Sequence, residues 1–191
     1  MRITSGIFRG RRLISPNSEL THPMGDREKL ALFNSLASSN DGSFKISGAT
    51  VLDLFAGSGA LGLEALSRGA SQVDFVENSH KAVKTIKSNV EALEVLNQAK
   101  IFSQNVEIFL DYALIEGKIY DLILIDPSYD KFSEIFRANS SLAEINKLLA
   151  SGGKLVLSHP GLVPPANLFK GLKLQTSRKY ARANISIYEK M

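Results

Sequence analysis

The sequence predicts an α/β fold: a doubly wound, mostly parallel, seven-stranded sheet with an antiparallel C-terminal edge and a small N-terminal hairpin-and-helix extension. Three observations carry this. Short apolar runs alternate with segments of helical period from Thr50 to Leu157, the rhythm of a parallel sheet covered on both faces. A glycine-rich turn, Gly57-Ser58-Gly59-Ala60-Leu61-Gly62, joins the first of those runs to the next helix. After Pro164-Pro165 the alternation stops and two strand-like runs follow in succession.

In chain order, Arg2–Phe8 reads as the first arm of a hairpin that turns at Gly10 and resumes at Arg12–Ser15. Asp26 is a suitable N-cap for a helix to about Ser38, with Leu30, Phe33 and Leu36 roughly on one face. Ser39–Gly48 is polar with two glycines and reads as a linker. Val51–Phe55 is a short apolar strand, Ala60–Arg68 a helix, and Val73–Val76 a second strand. Ser79 caps a helix to about Leu93, with Val83, Ile86, Val90 and Leu93 at helical spacing. A third strand begins at Ile101–Phe102 and Leu122–Ile125 is a fourth. A helix to Leu149 is expected to stop at Gly152-Gly153. Lys154–Leu157 then forms a fifth strand, and Leu172–Thr176 and Ile185–Tyr188 the antiparallel pair. Two units follow, an extension over 1–48 and a main domain over 49–191.

With 191 residues, 44% hydrophobic and 22% charged, the chain buries one core without a staple. It has no cysteine, which excludes disulfides, thiolate nucleophiles and zinc–thiolate sites. No metal site is expected. No apolar run approaches the ~20 residues of a membrane span, and MRITSGIFRGRR lacks a signal peptide's apolar stretch. A cytoplasmic monomer without membrane attachment is the expectation. The net charge of +4 is uneven: residues 1–29 carry +3, residues 170–191 carry +5, and the body between is acidic. Arg2, Arg9, Arg11 and Arg12 lead the first cluster, and Lys170, Lys173, Arg178, Lys179 and Arg182 the second. Clustered cations of this kind suit a polyanion, usually nucleic acid.

The glycine turn formally fits the Rossmann dinucleotide fingerprint, and Glu77 follows twenty residues after Gly57, where a ribose hydroxyl would be held. Asp53 argues for a different ligand. A carboxylate at the mouth of the loop repels a pyrophosphate and attracts an amino or sulfonium cation. S-adenosylmethionine carries both cations and no phosphate. At this point the sequence resembles the class I methyltransferases, whose first motif looks like Asp53–Gly59. That resemblance implies cofactor contacts at Asp53, Phe55, Ala56, Gly57, Ser58, Gly59, Glu77 and Asn78. It also implies contacts after the third strand, at Asn105 and Val106, where Asn105 takes the place of a more usual aspartate.

The apolar strand Leu122–Ile125 ends in Asp126-Pro127-Ser128-Tyr129. This looks like the Asp/Asn-Pro-Pro-Tyr motif of enzymes that methylate exocyclic amines of bases, with Ser128 replacing the second proline. An aromatic amine is a poor nucleophile because its lone pair is delocalised. The Asp126 carboxylate and Pro127 carbonyl orient its N–H groups and stabilise the charge that develops on nitrogen. Tyr129 stacks on a base that has left its helix or was unpaired.

The closer resemblance, over nearly the whole chain, is to the bacterial 16S ribosomal RNA guanine-N2 methyltransferases. It rests on Met1–Leu13, on Thr21-His22-Pro23-Met24-Gly25-Asp26-Arg27 with Ala31-Leu32-Phe33-Asn34, and on Gly57–Ala70. The chain departs from the family at His22, Met24, Leu30 and Ser128. The resemblance implies methyl transfer to one guanine N2 in the small-subunit RNA, naked or in the assembling 30S particle. The extension, with Arg2, Arg9, Arg11, Arg12, Arg27 and Ser128, would contact RNA. Three alternatives stay open: an N6-adenine or protein-glutamine methyltransferase, a nicotinamide-dependent oxidoreductase, and a non-enzymatic RNA-binding or assembly factor with a vestigial cofactor pocket. His159 in Ser158-His159-Pro160 reads as a turn residue and Tyr180 as a packing residue.

Overall fold

The computed structural model describes residues 1–15, 24–38, 44–128, 132, 140–161, 169–180 and 184–191. Helix α1 (Asp26–Ala37) belongs to the N-terminal extension. The main body runs β1 (Thr50–Leu54), α2 (Ala60–Ser67), β2 (Gln72–Glu77), α3 (His80–Ala92), β3 (Ala99–Ser103), α4 (Val106–Ile115) and β4 (Tyr120–Ile125). A 3-10 helix (Ser140–Leu148) then leads into β5 (Leu149–His159), β6 (Leu172–Lys179) and β7 (Asn184–Lys190).

The seven strands lie in the order β3-β2-β1-β4-β5-β7-β6. The first five are parallel, and β7 runs antiparallel between β5 and β6. The antiparallel edge is therefore as expected, with the last strand inserted one place inward. Alternate strand residues feed two cores, as a sheet covered on both sides requires. Val51, Val73, Phe75, Leu122, Leu124 and Val156 pack toward α1, α2 and α3. Leu52, Leu54, Val76, Ile123, Ile125 and Leu155 pack toward α4 and the 3-10 helix. Each such side chain, buried from water, stabilises the fold by roughly 1.5–3 kcal/mol.

The extension shares the first of these cores. Ile3, Leu13, Leu32, Phe33, Phe44 and Ile46 are buried in one cluster with Val51 and Leu63. Phe44 and Ile46 lie in the stretch expected to be a polar linker, whose residues 39–43 fall outside the described ones. The expected hairpin is reduced to a single antiparallel bridge, Arg2 with Arg12. The chain between them turns twice to lie on α2, where Ile7 N–H donates to Ser67 O. The N-cap of α1 is Gly25 rather than Asp26, and Glu28 reaches back to accept from Gly25 N–H at 2.8 Å.

Residues 106–115 form α4, a helix that the sequence pattern does not announce. Gly152-Gly153 do not end a helix; they lie inside β5, where the β4–β5 pairing shifts register between Tyr120 and Leu122. A Cβ on Gly153 would sit 2.8 Å from Ala150 O and 3.1 Å from Asp121 O, so glycine is there for close strand contact.

Candidate functional site

The order of the strands reverses between β1 and β4, and in an open α/β sheet ligands bind at the carboxyl ends of the strands flanking such a reversal. Both sequence-selected motifs come to this point. Leu54 pairs with Ile125, so Phe55 and Asp126 are the next residues out on neighbouring strands.

The glycine loop is a left-handed turn. Phe55, Gly57 and Gly59 have φ of 58°, 58° and 78°, a conformation that glycine adopts freely and phenylalanine adopts at a cost of about 1 kcal/mol or more. Asp53 is 1% exposed and accepts from Gly62 N–H at 2.9 Å, which ties the strand end to the first turn of α2. Gly62 is needed for packing: a Cβ there would meet Phe75 Cε1 at 2.4 Å and Val73 Cγ1 at 2.8 Å. Gly57, by contrast, has no heavy atom nearer than 3.9 Å to its Cβ position. Glu77, half-buried at the end of β2, accepts from Gly57 N–H at 2.9 Å and from Ser79 N–H at 2.8 Å. Each oxygen thereby keeps a second lone pair for a hydroxyl. Ala56 and Ser58 are buried in the loop; Asn78 is exposed beside Glu77. Asn105 caps α4, accepting from Glu107 N–H at 2.8 Å, and Val106 is buried beneath it.

On the other strand, Asp126 is partly buried, Pro127 is buried and Ser128 is exposed. Tyr129 lies outside the described residues. Burial pushes the Asp126 carboxyl up to about 6, a hydrogen bond from Ser158 holds it back, and the charge of Glu28 on α1 raises it further. Burial also raises Asp53 well above the usual carboxylate range, against the Gly62 N–H, with the charges of Asp126 and Glu77 adding to the rise. Asp126 and Glu77 thus act on Asp53 at the carboxyl edge of the sheet, and Glu28 of α1 acts on Asp126. This donor set fits S-adenosylmethionine: its negative potential favours an amino and a sulfonium cation, and Glu77 suits a ribose diol. Among the described residues no group of three or more metal-ligating side chains is placed to hold a metal ion.

The candidate RNA residues are dispersed over the extension. Arg9, Arg12 and Arg27 are exposed. Arg2 pairs with Asp26 at 3.3 Å, and Arg11 donates to Ala92 O at the end of α3. Lys173, Arg178 and Lys179 are exposed on the edge strand β6, while Arg182 lies outside the described residues. His159 is buried in β5 with Nε2 at 2.9 Å from Ser186 Oγ, so it is a packing residue of the last strands rather than of a turn. Tyr180 packs against the first core.

Sequence reasoning missed Ser158, Glu28 and Glu64. Ser158 and Asp126 each follow the pair Leu157–Ile125, a register that residue spacing alone does not give. Glu64, wholly buried, accepts from Thr4 N–H, Thr4 Oγ1–H and Ser5 N–H, and pairs with Lys29 at 3.7 Å and Arg68 at 2.8 Å. It fastens the extension to α2.

This fold is shared by solved structures described as S-adenosylmethionine-dependent methyltransferases. Over residues 1–189 the chain matches the family described as conserved hypothetical protein 95, and it belongs to that family. It is 32% identical over 190 residues to YlbH of Bacillus subtilis strain 168, a candidate rRNA methyltransferase, covering 100% of this chain and 99% of that one. It is 38% identical over 149 residues to ribosomal RNA small subunit methyltransferase D of Haemophilus influenzae, covering 78% and 73% of the two chains. Among solved structures it is similar to yhhF from Escherichia coli, a candidate methyltransferase, with a TM-score of 0.77 and 26% identity, covering 100% and 97%. The motif-level resemblance to rRNA methyltransferases is thus matched over the whole chain.

Proposed function

We propose that this protein transfers a methyl group from S-adenosylmethionine to the exocyclic N2 amine of a guanine in 16S ribosomal RNA. The single observation that carries the reading is the placement of Asp126-Pro127 on the strand adjoining the glycine loop, at one edge of the sheet. The named relatives support rRNA as the substrate class, and the basic extension supports a polyanion. Asp126-Pro127 supports an exocyclic amine, and the guanine N2 target rests on the resemblance of Met1–Leu13, of the segment from Thr21 to Asn34 and of Gly57–Ala70 to the 16S guanine-N2 methyltransferases.

The bound donor supplies an electrophilic methyl on a sulfonium. Asp53 and Glu77 contribute negative potential, and Glu77 also offers acceptors for ribose hydroxyls. Gly57 leaves room for the ligand to approach the backbone. Asp126 accepts one N–H of the amine and the Pro127 carbonyl the other, which turns the nitrogen lone pair out of conjugation and toward the methyl. As the N–C bond forms, the S–CH3 bond of the donor breaks and leaves a neutral thioether, nitrogen becomes cationic, and one N–H proton passes to the Asp126 carboxylate, then to water. That role requires the ionised carboxylate, so activity falls as pH drops through about 6. Tyr129 stacks on the base.

The test is methyl transfer from tritiated S-adenosylmethionine to 16S RNA, 30S particles, duplex DNA and bulk protein, with nucleoside analysis of the product. Label recovered as N2-methylguanosine from small-subunit RNA is expected. Label in N6-methyladenine or in protein overturns the target, and no label in any substrate overturns the enzyme.

A further inference from the structure

Asn89 lies on α3, outside both motifs, and is 1% exposed. Its amide satisfies three backbone groups in two different segments. Oδ1 accepts from Ile14 N–H at 2.8 Å, and Nδ2 donates to Ile14 O and to Ser58 O, both at 3.0 Å. Ile14 belongs to the basic N-terminal segment, and Ser58 stands between the two left-handed glycines of the cofactor loop. One weaker contact joins the same two parts, Ser58 Oγ–H donating to Met1 Sδ at 3.7 Å; the remaining fastenings lead elsewhere, Glu64 and Ser67 holding the segment to α2 and Arg11 holding it to the end of α3.

We infer that Asn89 is a positioning residue that couples RNA binding by the N-terminal segment to cofactor binding by the glycine loop, an inference that rests on the function proposed above. An amide is planar and its donors and acceptor have fixed directions, so the two backbones it bonds share one geometry. A polar group this deeply buried is costly to leave unpaired, so the segment and the loop hold their places together or release together. A ligand that fixes either one lowers the ordering cost for the other. The coupling is reciprocal: RNA tightens the cofactor by the factor by which the cofactor tightens RNA.

The experiment measures the Kd of S-adenosylhomocysteine, which binds without turnover, in the absence and presence of saturating 16S RNA. The parent protein is expected to show tightening of roughly 5- to 10-fold, within the usual range of coupling. In Asn89→Ala the ratio collapses toward one. Because this variant also leaves three backbone groups unpaired, Ile14→Pro serves as a second probe. It removes the N–H given to Asn89 and leaves the bond to Ser58, at an exposed site, and a thermal melt checks that the variant folds despite the restraint proline puts on the buried Leu13 before it. The same collapse is expected, with each ligand alone still binding within a few-fold of the parent. A parent ratio of one, or a parent-like ratio in folded variants of both kinds, overturns the coupling. Failure of the parent to bind either ligand alone overturns the proposed function instead, so the two are told apart.

Discussion

Asp126→Asn is expected to stabilise the protein while slowing turnover about 100-fold or more. A carboxyl raised from an ordinary 3.8 to about 6 marks about 3 kcal/mol of unfavourable charge burial at neutral pH. Asparagine is nearly isosteric and removes the charge. It also weakens the bond from Ser158 from charge-assisted to neutral, which offsets about 1 kcal/mol, and Asp126 keeps some contact with water. A net gain of about 1–2 kcal/mol remains, or about 2–8 °C in Tm for a chain of this size. The sign with pH is specific. Between 3.8 and about 6 the folded state binds the Asp126 proton more tightly than the unfolded chain does. The parent therefore gains stability as pH falls through that window, and the cost of ionisation is fully present above it. Calorimetric melts at pH 7.5 and pH 4.5 should show the full gain at the first and a fraction of it at the second. Methyl transfer should fall about 100-fold or more, because the amide cannot take the nitrogen's proton and presents a weaker acceptor. A variant less stable than the parent at pH 7.5, or a gain equal at both pH values, would refute the claim that Asp126 is held ionised against its surroundings.

Glu77→Ala should weaken S-adenosylhomocysteine binding about 10- to 100-fold by isothermal titration, since bonds to a charged acceptor contribute about 1.5–3 kcal/mol; an unchanged Kd removes Glu77 from the cofactor site. Gly62→Ala drives a methyl into Phe75 and Val73 on β2 and should cost about 1–3 kcal/mol in a urea titration, whereas an unchanged midpoint would mean that α2 is not packed this closely. Glu64→Ala removes the acceptor of Thr4 and Ser5 and takes the buried carboxylate from the fully buried Lys29 ammonium, leaving it Arg2 O at 2.7 Å and the half-buried Asp26 at 4.0 Å. A loss of about 3–5 kcal/mol is expected. Adding Lys29→Met should recover part of it, and a strictly additive double variant would show that the two charges do not interact.

The sequence made the sheet's ends legible and its cross-connections illegible. Ser79 could be placed as the cap of α3 because the cap residue type and the apolar spacing of Val83, Ile86 and Val90 coincide. The glycine loop and Asp126 could be placed because each stands where an apolar strand gives way to polar residues. Helix α4 escaped notice because Ile108, Tyr112 and Ile115 are exposed apolar residues beside the buried Phe109 and Leu110, which blurs the helical stripe. Gly152-Gly153 carry the signature of a helix stop, but Gly152 is needed for a left-handed turn within β5, with φ of 71°, and Gly153 for close contact with Ala150 O, Leu149 and Asp121 O, which local sequence does not report. The bonds that join Asn89 to Ile14 and Glu64 to Thr4 span 75 and 60 residues. No spacing rule reaches that far, so the docking of the extension became visible only in three dimensions.

The glycine turn alone leaves the ligand undecided, because tight turning and close helix packing serve a dinucleotide and S-adenosylmethionine equally well. Gly62 illustrates this: its lack of a side chain is used against Phe75 and Val73, not against a ligand. What separates the two ligands is charge. Burial has already raised Asp53 and Asp126, and each further negative charge raises Asp53 more, as Asp126 and Glu77 do. A pyrophosphate at the loop would deepen that repulsion, while a sulfonium and an ammonium relieve it. Asp53 meanwhile cannot be exchanged for a neutral residue without cost, because its oxygen also holds Gly62 N–H and so the start of α2. The carboxylate that shapes the loop is therefore also the one that selects a cation, and the fold's geometry and its ligand preference share one side chain.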